Sequence, residues 1–207
     1  MDFRENEFRA NLYETSMSGK KNPLLSASEK TIEVYNMDKV KEWFCKEYRQ
    51  KECLCSCDAY YQSQHNQLVI EFKNTHHLKL KDCWSQIQMK LLDTHMLLAE
   101  TFYRSKKGSE IAKKLRALLV YNDDPLNYGP GVRKIGGCLN EIKPIKGDDS
   151  RKSNPVKLFL DEEEYHEHLD ALKCKYKLDF YKDIEFMDKR EFYESYIEPG
   201  NYFVGLQ

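Results

Sequence analysis

The 207-residue chain lacks any apolar run near the ~18 residues that a membrane span requires. Its opening, Met1-Asp2-Phe3-Arg4-Glu5, lacks the apolar stretch of a signal peptide. A soluble, cytoplasmic protein without membrane attachment is therefore expected. Strong global charge is missing too. The net charge is −1, so affinity for nucleic acid cannot come from overall charge. No nucleophile elbow is present, and Gly129-Pro130-Gly131 and Gly136-Gly137 lack a Walker lysine or a dinucleotide fingerprint. There is no internal repeat and no low-complexity tract.

Seven cysteines are present, but none forms the C-x-x-C knuckle that wraps zinc. An odd total without a secretion signal argues against a disulfide framework. Cys53, Cys55 and Cys57 alternate, which places them on one face of a strand as small core hydrophobes.

Hydrophobic residues make up 41 % and charged ones 32 %, a globular composition with a wet surface. The length suits one domain over 1–207. Charge is uneven along it: residues 74–116 and 129–160 are rich in Lys and Arg, and 161–198 in Asp and Glu. That pattern gives either a positive surface on a neutral protein or ordinary solvated helix faces.

Residues 4–15 read as a short helix, and Ser28 as the cap of a helix or turn near Glu29–Tyr35. Asp38 reads as the N-cap of a helix through Val40, Trp43, Phe44 and Tyr48. Residues 53–62 and 67–73 switch to a period of two, the mark of strands. Leu80, Trp84, Ile87, Leu91, Leu98 and Phe102 then form an uninterrupted helical stripe ended by Lys106-Lys107-Gly108. Residues 116–121 read as a buried strand. Residues 122–155 form a long irregular basic loop, either closing over a nucleic-acid backbone or merely exposed. The extension 156–207 begins with a strand at Val156–Leu160. An acidic helix start at Asp161–Glu164 follows, leading to Tyr165, Leu169 and Leu172. The strand Ile184–Met187 comes next, then a helix capped by Asp188. The order predicts an α/β (α+β) domain with a central mixed β-sheet flanked by helices.

Chemistry concentrates between Cys57 and Lys73. Polar Ser63-Gln64-His65-Asn66 joins two strand-like runs, so a hairpin is expected. A turn centred between Gln64 and His65 sets Asp58 opposite Glu71, with Lys73 two residues on and on the same face. The other face takes Cys57, Ala59 and Tyr61 against Leu68, Ile70 and Phe72, and is core. Facing carboxylates repel unless compensated. A divalent cation such as Mg²⁺ (or Mn²⁺) compensates them, since it is held by one or two carboxylates with waters and substrate phosphate. An ordinary hairpin with solvated Glu and Lys on its wet face is the plainer reading of the same residues.

Asp58 followed by Glu71-Phe72-Lys73 and a long amphipathic helix resembles the PD-(D/E)xK, or restriction endonuclease-like, nuclease superfamily. The sequence departs from its pattern in having Cys57 rather than proline before Asp58. The resemblance implies a restriction-endonuclease-like core over residues 28–121, with metal on Asp58, Glu71 and the Phe72 carbonyl and Lys73 as catalytic lysine. A supporting residue is expected from the following helix, where Gln86, Lys90 and Asp93 share a flank and Lys90 is preferred. A Glu on an early helix is also implied, either Glu29 or Glu33, with Glu29 preferred as a ligand. The activity implied is metal-dependent cutting of DNA, with RNA left open, in phage defence, restriction or repair. The rival is an inactive relative that serves as an accessory subunit, its acidic C-terminal half binding a protein partner. Homodimerisation is a further option. His76-His77, His166 and His168 read as solvated, and the aromatic C-terminal end as core or protein interface.

Overall fold

The computed structural model describes residues 4–18, 22–25, 31–49, 54–64, 66–75, 83–104, 113–123, 162–177, 179–199 and 202–203. A 3₁₀ turn over Glu5–Phe8 leads into β1 (Arg9–Asn11) and the short α1 (Leu12–Thr15). β2 (Met17–Ser18) and β3 (Asn22–Pro23) make a separate two-stranded ribbon. Then come β4 (Glu33–Asn36), α2 (Met37–Glu47), β5 (Ala59–Gln62), β6 (Gln67–Lys73) and α3 (Trp84–Thr101). β7 (Leu115–Tyr121), α4 (Glu162–Tyr176), β8 (Asp183–Asp188) and α5 (Lys189–Phe192) follow, α5 running into a π-helical turn over Tyr193–Ile197.

Six strands form one mixed sheet in the order β1-β4-β5-β6-β7-β8. Pairing is antiparallel as far as β6 and parallel from β6 through β7 to β8. Parallel neighbours need a crossover, and α3 lies between β6 and β7 in the chain as that crossover. The protein is therefore α+β with a central mixed sheet. No helix among the described residues is long and apolar enough to cross a membrane.

Apolar side chains cover both faces of the sheet. On one, Tyr60, Val69, Ala117, Leu119 and Ile184 meet Val40 and Phe44 of α2, Ile87, Leu91 and Leu98 of α3, and Leu169 and Leu172 of α4. On the other, Tyr61, Leu68, Ile70, Leu118 and Val120 meet Leu12, Leu24, Phe192 and Tyr196. Arg116 ties this second side to the chain's end. It donates to the hydroxyls of Tyr196 and Tyr202, at 2.9 and 2.7 Å, and to Glu185.

Several expectations hold at residue level. The hairpin register pairs Ala59 with Ile70, Tyr60 with Val69 and Tyr61 with Leu68, as a turn centred between Gln64 and His65 requires. Asp188 caps α5 with a reciprocal capping box to Glu191.

Others need correction. The Glu71 side of the hairpin is not a wet face: six of the seven β6 residues are buried, because α3 folds back over that side. Cys57 packs with Tyr60 and Val69 rather than with Ala59 and Tyr61. The strand begins only at Ala59, and residues 54–57 have no regular structure, so alternation does not extend back to Cys57. Glu29–Tyr35 is not a helix where it is described. Glu33–Asn36 is a strand, held by pairing with β1 and β5. Asn36, not Asp38, caps α2, its side chain accepting the Lys39 N–H at 3.0 Å. Residues 4–15 are split by β1 instead of forming one helix. Tyr48 ends α2 and is exposed. Residues 124–161, with the basic loop beyond Asp123 and the Val156–Leu160 strand, lie outside the described residues, as do Glu29, Cys53, His76, His77, Leu80 and Lys106-Lys107-Gly108.

Candidate active site

Strand β6 carries Glu71 toward α3, and Lys73, two residues on, returns to the same side. Asp58 enters from the residue just before β5. Its N–H donates to the Ile70 carbonyl at 3.0 Å, and its Oδ2 accepts the Phe72 N–H at 2.6 Å. It therefore lies across the hairpin from Glu71. In an antiparallel pair a residue's N–H and C=O point to the same edge. The Phe72 carbonyl accordingly points toward the Asp58 side, while its ring faces Phe192 in the opposite core.

Helix α3 delivers the fourth group. Lys90 Nζ is 2.8 Å from Oε1 and 2.9 Å from Oε2 of Glu71, and 3.6 Å from Asp58 Oδ1. Lys73 Nζ reaches the same Glu71 Oε1 at 2.9 Å. Two carboxylates and two ammoniums thus converge, with the Glu71 side chain only 3 % exposed. A charge so deeply placed has to be paired.

The partners are shared unequally. Lys90 stands closer to Glu71 than to Asp58, so Asp58 is the less compensated acid. Burial, and next the charge of Glu71, push the Asp58 carboxyl up to about 7, against the pull of Lys90 and the Phe72 N–H. Burial alone would depress the Lys90 ammonium, but Asp58 and Glu71 hold it above its ordinary value. Burial also raises the Cys57 thiol, and the charge of Glu71 adds to it.

The lead-in to Asp58 is fixed by α3. Asp93 Oδ2 accepts the Cys55 N–H and Thr94 Oγ1 accepts the Cys57 N–H, each at 2.8 Å. These contacts substitute for the strand ladder that residues 54–57 do not make.

The structure thus brings together Asp58, Glu71, Lys73 and Lys90, with the Phe72 main chain beside them. Gln86 is exposed on α3 and Asp93 binds backbone instead. Glu33 does not join the site. It sits on β4, separated from β6 by β5, and pairs with Arg9 at 3.5 Å. Sequence reasoning missed Asp38, which it treated only as a cap. Asp38 accepts from Ser56 Oγ at 2.8 Å and from Lys41 at 3.0 Å, and its charge acts on both Asp58 and Lys90. Burial would raise its carboxyl, but these hydrogen bonds hold it below the usual value. The one available signal was its place in the first turn of an early helix.

Among the described residues no group of three or more His, Cys, Asp and Glu is placed to hold a metal. Two carboxylates with a main-chain carbonyl are nonetheless the oxygen donors that Mg²⁺ takes, with water and phosphate completing the shell. The Lys90 ammonium lies between the two carboxylates and supplies positive charge there. The donor set therefore fits a divalent ion in kind. Compared with protein-family models, with curated proteins and with solved structures, the chain matches none.

Proposed function

We propose that this protein is a Mg²⁺- or Mn²⁺-dependent nuclease of the PD-(D/E)xK kind that hydrolyses phosphodiester bonds in DNA. The observation that supports this most is the convergence of Asp58, Glu71 and Lys73 on one side of the hairpin, with Lys90 arriving from the next helix.

Asp58, Glu71 and the Phe72 carbonyl would hold the ion. A divalent ion held there would supply Lewis-acid chemistry to a phosphate oxygen and a water. Lys73 keeps its ammonium beside Glu71, where it orients the attacking water and offsets charge that grows on the phosphate. Glu71, anchored in the middle of a buried strand, keeps these groups in register, which a surface loop would not do. Defence, restriction or repair is the setting proposed.

A second reading has one observation in its favour. The four charges cancel without any metal, because Lys73 and Lys90 together pair both acids. Such a network also suits an inactive nuclease-fold accessory subunit that binds a protein partner.

Incubation of the protein with plasmid DNA, and separately with RNA, in Mg²⁺ and in Mn²⁺ distinguishes the two. Metal-dependent cutting of DNA that is lost in Asp58→Ala and in Lys73→Ala supports the enzyme. Cutting that persists in both variants removes this site, and no cutting under any condition favours the accessory subunit.

A further inference from the structure

We propose that Lys90 is the site's built-in cation, a latch that fills the space between Asp58 and Glu71 until a divalent ion displaces it. The inference rests on the metal-site reading of Asp58 and Glu71 and adds to it a competition within the chain.

Lys90 bonds both oxygens of Glu71 and leans toward Asp58 Oδ1, so its ammonium lies between the two acids. Among the described residues, Lys73 pairs with Glu71 Oε1. A divalent ion bound to both carboxylates would lie against the Lys90 ammonium with like charge, and strong repulsion would follow. Lys90 is the group that has to leave. Its long stem rises from α3 and its side chain is 23 % exposed, so the ammonium can turn outward without unfolding anything. Asp38 is near enough for its charge to act on Lys90. Glu71, nearly sealed off, then keeps two positive neighbours: Lys73 with Lys90 before the ion arrives, and Lys73 with the ion afterwards.

Mn²⁺ affinity measured by calorimetry on wild type, Lys90→Met and Asp58→Asn tests this directly. The expected result is weak binding to wild type, roughly ten- to hundredfold tighter binding to Lys90→Met, and none to Asp58→Asn. Equal or weaker binding by Lys90→Met, with Asp58→Asn inert, would overturn the latch and leave the metal site standing. No binding to wild type or to Lys90→Met would overturn both. Should Lys90→Met fail to fold, lysine-ammonium NMR of the wild type gives the answer. Saturating Mg²⁺ should shift or broaden away the Lys90 signal, assigned with Lys90→Arg, and leave that of Lys73. An unmoved Lys90 signal would refute displacement.

Discussion

The Lys90 ammonium bonds both carboxylate oxygens of Glu71, at 2.8 and 2.9 Å, joining the crossover helix to the strand it packs against. Glu71 is almost wholly buried, so loss of Lys90 leaves it with Lys73 as its ammonium and takes from Asp58 the lysine at 3.6 Å. Lys90→Met is expected to lower stability by roughly 3 kcal/mol at neutral pH, the scale seen when one member of a buried pair is removed. Urea denaturation checks it, and Mn²⁺ should restore part of the loss by binding the folded state alone.

Thr94 is fully buried and gives its hydroxyl oxygen to the Cys57 N–H, one residue before Asp58. Thr94→Val keeps the shape but orphans that N–H, at a cost of about 1–3 kcal/mol. Because the same contact sets the path into Asp58, cleavage should fall further than the folded fraction does. Thr94→Ser should keep both. Parallel urea melts and cleavage rates on the three proteins decide it.

His95 lies on α3 against Phe180 and Tyr181, and its buried Nε2 has no hydrogen-bond partner among the described residues. Burial holds its imidazole below the ordinary value. In the pH range between the folded value and about 6.5, the unfolded chain binds the extra proton and the folded one does not. Stability should therefore be present above about pH 6.5 and decline as pH falls through it. In His95→Phe that part of the acid decline should vanish. Urea midpoints at about pH 7.5 and about pH 5 should differ less in the variant than in wild type.

The hairpin was legible because turn chemistry and two-residue alternation are local, and they suffice to set Ala59 opposite Ile70. The Asp188 cap was legible for the same reason, as its partner Glu191 lies three residues away. The family resemblance admits a Gln or a Lys on this helix, so Gln86 and Lys90, on the same flank of α3, were both open to it and Lys90 was a preference that the contacts to Glu71 single out. Other features depend on contacts between distant segments. Glu33–Asn36 is a strand because β1 and β5 flank it, and nothing within its own residues says so. Burial of Glu71 comes from α3 and β7, outside the hairpin, so the hairpin's own residues left a solvated face open as the rival to a metal site. Cys57 shows how alternation misleads where side chains of another helix, here Thr94, take over the backbone hydrogen bonds. Asp38 was hidden by its own plausibility as a helix cap, a role that Asn36 fills.

Crystals grown with Mn²⁺ and measured at the manganese absorption edge put the central claim to its most direct trial. An anomalous peak bridging the Asp58 and Glu71 carboxylates, with the Lys90 ammonium turned away from Glu71, is the predicted result. Density showing the ammonium still bonded to both Glu71 oxygens, and no manganese beside either acid, would contradict it.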